Sequence, residues 1–317
     1  MPLTAGQALD LDHVVESQQF DRALLEKVFS LAAAMEEVVR GGGNDELRGR
    51  IMASLFYEPS TRTRLSFEAA MLRLGGEVLG TESAGEFSSV AKGETLEDTV
   101  QIISAYSDVI VLRHFETGAS RRAAAVSPVP VINAGDGPGQ HPTQALLDLY
   151  TIKKELGRVD GLSIAMVGDL ANGRTVRSLS YLLSKFDSVE LVFVAPPAVA
   201  IGDDIKAHLD ERGTMFRETA DLDAVLPEVD VVYQTRIQKE RFGSALEQYR
   251  RVKGVYIMDA RAMDRLRPDA ILMHPLPRVG EISPEVDGDP RAAYFRQARN
   301  GLYIRMALLR MLLRPAS

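Results

Sequence analysis

Apolar runs of strand length alternate with amphipathic helical stretches along most of the 317 residues. "IMASLFYE" (51–58) reads as a buried strand that Pro59 breaks. A helix follows. Phe67, Ala70, Met71 and Leu74 fall at i, i+3, i+4 and i+7, and Gly75-Gly76 ends the pattern. Further strands are expected at 77–80, 108–114 and 129–135, with helices at 18–40, 95–107 and 142–157. A second series begins with "LSIAMVGD" (162–169) and continues with strands at 189–196, 229–236, 255–259 and 270–278. Helices lie between these, including 174–186, and a last amphipathic helix is expected at 299–313. Nearly continuous apolar strands separated by helices predict parallel sheets covered on both faces. The fold class expected is therefore α/β, in two domains, each with a central, mainly parallel sheet flanked by helices. The boundary is placed near residue 150. The first domain covers 1–150, the second 151–292, and a C-terminal helix at about 293–317 packs back on the first.

Composition narrows the function. Hydrophobic residues make up 45% and charged residues 26%, an ordinary globular balance. A net charge of −7 argues against generic nucleic-acid binding, so positive charge that meets an anionic ligand must be local. The absence of cysteine removes disulfides, thiolate metal sites and a cysteine nucleophile. The five histidines are scattered, and no metal or cofactor is expected. No phosphate-binding P-loop, GxSxG elbow or GxGxxG turn occurs. The N-terminus has neither a basic start nor an apolar leader core, and no apolar run reaches membrane-spanning length. A cytoplasmic location is expected on that basis.

The unusual chemistry falls at the carboxyl ends of the expected strands, where open α/β sheets collect their ligands. "STRTR" (60–64) follows the first strand and opens a helix, with Ser60 as N-cap. Hydroxyls and Arg62 at a helix N-terminus suit an anion, and phosphate above all. Arg113-His114, "GDGPGQHPTQ" (135–144), "GDLANGRT" (168–175), "TRIQKER" (235–241) and "HPLPR" (274–278) end other strands. Taken singly, each is more simply a cap, a solvated turn or a rigid bend. Six polar strand ends in one chain point instead to a cleft for small anions. Their chemistry is electrostatic stabilisation and positioning, with no covalent intermediate.

"FYEPSTRTRLSFEAAMLRLGG", "KGETLEDT", "GDGPGQHPTQALLDLYTI", "GRTVRSL", "TRIQKER" and "HPLPRVGEI" occur in this order over nearly the whole chain. This series resembles the aspartate/ornithine carbamoyltransferase family, and within it the catalytic chains that act on aspartate. The resemblance implies transfer of a carbamoyl group from carbamoyl phosphate to L-aspartate in pyrimidine synthesis. It also implies a first domain for carbamoyl phosphate, a second for aspartate, and a homotrimer with shared sites. By the same likeness Ser60, Thr61, Arg62 and Thr63 bind phosphate, and Arg113 contacts phosphate and the carbonyl oxygen. His141 polarises that carbonyl. Gln144 and the backbone carbonyls of Leu276 and Pro277, joined by a cis bond, hold the carbamoyl amide. Arg174 and Arg236, assisted by Gln238, take the aspartate carboxylates. Lys92, and less securely Ser88, reach in from a neighbouring subunit. The family also allows a regulatory chain or a dihydroorotase as partner; nucleic acid and membrane are not expected. The ornithine branch carries HPCQ, HCLP and a Ser-Met-Gly loop, where this chain has Thr143, Pro275 and Arg236-Ile237-Gln238. An ornithine-type enzyme and an inactive scaffold subunit are the alternatives.

Overall fold

The computed structural model describes residues 11–82, 93–237 and 254–313. In chain order its helices are α1 (Arg22–Arg40), α2 (Thr61–Arg73), α3 (Leu96–Ser104), α4 (Ala119–Val126), α5 (Pro142–Leu156), α6 (Arg174–Leu183), α7 (Asp203–Arg212), α8 (Leu222–Val225), α9 (Ala260–Arg265) and α10 (Tyr294–Leu312). Its strands are β1 (Ile51–Phe56), β2 (Glu77–Glu82), β3 (Val109–His114), β4 (Val131–Asp136), β5 (Ser163–Val167), β6 (Glu190–Val194), β7 (Met215–Thr219), β8 (Val231–Gln234) and β9 (Ile271–Met273). The chain divides into two compact units. The first holds the described residues of Met1–Gln19, Glu26–Thr143 and Leu302–Ser317; the second holds those of Phe20–Leu25 and Gln144–Gly301.

The first unit carries a four-stranded sheet in the order β2-β1-β3-β4, with every pairing parallel. One face buries Ala53, Leu55, Ile110 and Leu112 against Leu96 and Val100 of α3 and Ala119 and Ala123 of α4. Each such aliphatic side chain larger than alanine, fully buried, contributes roughly 1.5–3 kcal/mol. The sequence order reverses between β1 and β3. That switch point leaves a crevice at the carboxyl ends of these two strands, the usual ligand position in open α/β sheets.

The second unit carries a five-stranded, wholly parallel sheet in the order β7-β6-β5-β8-β9. Ala165, Val167, Val192, Val194, Val232 and Leu272 join Tyr256, Met258 and Tyr294 in its core. Its order reverses between β5 and β8. Gly168, just beyond β5, has φ +118°, and a Cβ there would lie 2.5 Å from the Thr235 carbonyl oxygen. The close approach of the β5 and β8 ends therefore needs glycine.

Three elements differ from the sequence reading. The expected strand at 255–259 is absent: Val255 and Ile257 are exposed, and Met258 makes a single bridge to Ile282. Its alternating apolar residues satisfy the strand pattern, but β8 already has β5 and β9 on its two sides. Strand β7 has no counterpart in the apolar pattern, because "MFRET" lies on an exposed edge and has no buried run. Helix α4 has none either, since "ASRRAAAV" follows Gly118 in a left-handed conformation and buries only Ala119, Ser120 and Ala123.

Candidate active site

Helix α2 begins directly behind β1, and its first turn is open. Ser60 occupies the N-cap position, yet its hydroxyl accepts nothing from the helix. In α3, α8 and α9 the corresponding residues do cap: Thr95 accepts from the Asp98 N–H, Asp221 from Ala224 and Asp259 from Ala262. The first-turn N–H groups of α2 are thus left for another acceptor. The two arginines of this turn are used differently. Arg64 Nε donates to Glu68 Oε1 at 2.8 Å on the same helix face. Arg62 is exposed and has no ion-pair or hydrogen-bonding partner for its guanidinium among the described residues. Partial burial of that guanidinium lowers its pKa, with no carboxylate opposing the shift, and the group remains cationic at neutral pH. Thr63 is buried one residue further on.

Parallel pairing brings Arg113 to the same end of the sheet. It stands opposite Phe56 in the register, and its carbonyl accepts from the Tyr57 N–H at 2.9 Å. Its guanidinium donates to the Ala134 carbonyl at 3.1 Å and lies 3.5 Å from Glu58. The next strand end is tied down by Asp136. Its two carboxylate oxygens accept from the backbone of Gln140 and Gly118, both at 3.0 Å. Gly137 has φ +51°, and a Cβ would sit 2.5 Å from the Phe115 carbonyl oxygen. This fixed turn delivers His141 to the start of α5, buried, with Thr143 Oγ1 3.4 Å from its Nδ1. Ser60–Thr63, Arg113 and His141 therefore occupy the carboxyl ends of the adjacent strands β1, β3 and β4 within one unit.

The second unit repeats the arrangement. Thr235 donates to the Val167 carbonyl through both its N–H and its hydroxyl, each at 2.8 Å. Arg236 follows immediately. Across the switch point, Asp169 accepts from the Asn172 backbone at 3.0 Å and so shapes the turn that opens α6 at Arg174. Beyond β9, the Leu276–Pro277 peptide is cis and Leu276 has φ +54°. That left-handed conformation is rare for a residue with a branched side chain. It is held by His274, whose Nδ1 accepts from the Leu276 N–H at 2.7 Å. The histidine proton therefore sits on Nε2, which donates to Glu281 Oε1 at 2.8 Å. Gln144, in the first turn of α5, donates from Nε2 to Asp148 at 2.8 Å.

Arg174, Arg236, Leu276 and Pro277 thus lie at the ends of the adjacent strands β5, β8 and β9. Ser88, Lys92 and Gln238, expected at the site, lie outside the described residues. The sequence reading passes over Asp136, Asp148 and Glu281, the carboxylates that hold the site loops. Asp148 carries a signal, being an acid on the apolar stripe of its helix; Asp136 and Glu281 have none beyond nearness to the motifs.

Two family models account for nearly the whole chain. Residues 12–154 match the aspartate/ornithine carbamoyltransferase carbamoyl-P binding domain, and residues 160–312 match its Asp/Orn binding domain. The chain belongs to the aspartate/ornithine carbamoyltransferase family. An aspartate carbamoyltransferase of Pisum sativum is 59% identical over 97% of this chain and 79% of its own length. An aspartate carbamoyltransferase catalytic subunit of Methanothrix thermoacetophila is 51% identical, over 95% of this chain and 98% of its own. Aspartate transcarbamoylase of Trypanosoma cruzi, solved with N-(phosphonacetyl)-L-aspartic acid, superposes with a TM-score of 0.89 at 46% identity, covering 94% of each chain. The cytoplasmic expectation is corrected by these family members. Relatives from Pisum sativum, Oryza sativa and Arabidopsis thaliana, 59–60% identical, are chloroplastic. The missing leader pattern, on which the expectation rested, describes only where this sequence starts.

The His274–Glu281 pair in this carbamoyltransferase has a pH signature. Burial by itself raises the Glu281 carboxyl, but the His274 N–H and backbone N–H groups outweigh it and leave the pKa below the ordinary 4.5. A depressed carboxyl stabilises the fold above its unfolded pKa, and that contribution is lost as pH falls through the folded value. Glu281→Gln is expected to cost about 1–3 kcal/mol at neutral pH, read from urea midpoints. The gap to wild type should narrow below pH 4.5, the ordinary carboxyl value; a gap that stays constant down to the acid transition contradicts the assignment.

Proposed function

We infer that this chain is an aspartate carbamoyltransferase, which joins carbamoyl phosphate and L-aspartate to give N-carbamoyl-L-aspartate and phosphate. The observation that carries the reading is the open first turn of α2 with, beside it, the Arg62 guanidinium, unpaired among the described residues. Phosphate there meets unsatisfied N–H groups, the helix dipole and a planar cation that can bind two oxygens at once. Ser60, Thr61 and Thr63 add hydroxyl donors. The family models meet between residues 154 and 160, which supports a boundary near 150, and the grouping of Leu302–Ser317 with the first unit supports a C-terminal helix, about 293–317, that returns to it.

Within this reading Arg113 bridges phosphate and the carbonyl oxygen. With its proton on Nε2, His141 can donate to that carbonyl while Nδ1 accepts from the Thr143 hydroxyl beside it. Gln144, Leu276 and Pro277 take the carbamoyl amide. Arg174 and Arg236, from adjacent strand ends, take the two aspartate carboxylates, with Gln238 assisting. Two guanidinium groups suit a dicarboxylate and repel the side-chain ammonium of ornithine, which favours aspartate over the ornithine branch.

The reaction needs no protein nucleophile. As the neutral amine attacks, charge develops on the carbonyl oxygen, and each well-placed donor among Thr63, Arg113 and His141 supplies about 3 kcal/mol. Alignment of the two substrates lowers the barrier by a further ~7–11 kcal/mol. Departing phosphate accepts the amine proton.

We also propose a homotrimer in which Lys92 and Ser88 complete a neighbour's site. Exposed Leu65 and Leu72, one face of α2, and Leu79 of the edge strand β2 give this unit an apolar patch suited to association. A regulatory chain or dihydroorotase partner is compatible with this reading.

Steady-state assays test the assignment. Aspartate and not ornithine should be carbamoylated. Arg62→Ala should chiefly raise the KM for carbamoyl phosphate, and Arg236→Ala chiefly that for aspartate, each by about ten-fold or more. Unchanged constants in both variants defeat the site map. Trimers mixed from Lys92→Ala and Arg62→Ala subunits should regain activity that neither parent shows; complete inactivity contradicts shared sites.

A further inference from the structure

Asp148 lies one helical turn beyond Gln144 on α5 and is fully buried. Its carboxylate gathers three donors from three separate elements of the second unit. Gln144 Nε2 reaches Oδ1 at 2.8 Å, Gln297 Nε2 on α10 reaches the same oxygen at 2.6 Å, and the Tyr233 hydroxyl on β8 reaches Oδ2 at 2.7 Å. Burial and the neighbouring Asp148 keep the Tyr233 hydroxyl protonated far above its ordinary range, so it stays a donor.

The direction of these bonds is fixed from one end. The His274 backbone N–H can only donate, and it donates to Gln297 Oε1 at 2.9 Å. The other end of that amide, Nε2, must then face Asp148 Oδ1. An oxygen already taking that donor is an acceptor, so the second amide at Oδ1, from Gln144, must also present its nitrogen. Polarity runs from a main-chain group through Gln297 and Asp148 to Gln144, where it leaves Oε1 on the outward, half-buried side. Among the described residues, Gln144 Oε1 has no hydrogen-bond donor.

We propose that Asp148 is a positioning residue that selects the acyl donor: by holding the Gln144 amide in one orientation it offers a carbonyl acceptor to the –NH2 of carbamoyl phosphate. This rests on the function inferred above. An acyl phosphate with methyl in place of the amine has no hydrogen to give, and binding it strands that acceptor. In Asp148→Leu the acceptor shared by Gln297 and Gln144 is gone, nothing fixes the Gln144 amide, and its nitrogen is free to turn outward. Gln144 then presents NH2 to the NH2 of the ligand.

The test compares the KM for carbamoyl phosphate with the inhibition constant of acetyl phosphate, measured on the full chain at saturating aspartate. In Asp148→Leu the preference for the carbamoyl compound should fall by about ten-fold or more, through KM, while acetyl phosphate inhibits nearly as in wild type. Tyr233→Phe removes the donor at Oδ2 and leaves Oδ1 intact; it should lower thermal stability and keep the preference. A merely structural Asp148 would weaken both compounds by the same factor, and that result overturns the proposal. Should Asp148→Leu be insoluble, Gln144→Met removes the oriented amide without touching the carboxylate. A preference unchanged in that variant overturns the proposal equally. A wild-type chain that fails to carbamoylate aspartate defeats the inferred function, and the selection mechanism with it; an active wild type with an unaltered preference in the variants defeats only the latter.

Discussion

With a net charge of −7, most of this protein repels a phosphate-bearing substrate. Attraction must come from a few places where cations and N–H groups are kept from internal partners. At the start of α2 this separation is visible between residues two positions apart. Arg64 is neutralised by Glu68, whereas Arg62 is left uncompensated at a helix end that Ser60 does not cap. Water solvates this exposed guanidinium and the open helix end until an anion replaces it. Arg113 in the same unit is not kept apart in this way, since Glu58 lies 3.5 Å from its guanidinium. Asp136 is engaged by the backbone N–H groups of Gln140, in its own loop, and of Gly118, before α4.

The two sheets turn this chemistry into geometry. In each, chain order reverses beside the strand that opens the unit, β1 in the first and β5 in the second, and the candidate residues follow the strands that flank the reversal. Parallel register then fixes which residues are neighbours: Phe56 opposite Arg113, and Val167 opposite Gln234. Glycines at 137 and 168 let the loops approach backbone atoms closely where a side chain would collide. Two acids complete the scaffold, Asp148 fully buried and Glu281 partly buried. Asp148 orients Gln144, and Glu281, through His274, orients the backbone of Leu276.

Much of this is legible in the residues. Apolar runs such as 163–167 and 190–194 are buried along almost their whole length, so periodicity finds them. Strand β7 escapes because an exposed edge needs no apolar pattern, and 255–259 misleads because alternation describes an extended segment whether or not a partner strand is free. "STRTR" can be read as an anion site from helix physics alone. Ser60, however, sits at the cap position without capping, a distinction that depends on its φ of −158° and not on its identity. The arginines of the second unit need the family likeness, since a lone loop arginine carries no substrate label. Asp148 cannot be assigned from sequence, because its three donors come from positions 144, 233 and 297.

The most direct test is a crystal structure of the protein with N-(phosphonacetyl)-L-aspartate bound. The phosphonate should lie at the first turn of α2, within about 3 Å of its backbone N–H groups and of the Arg62 guanidinium. A phosphonate bound elsewhere, with Arg62 still facing solvent and the α2 terminus unoccupied, would contradict the electrostatic basis of the site.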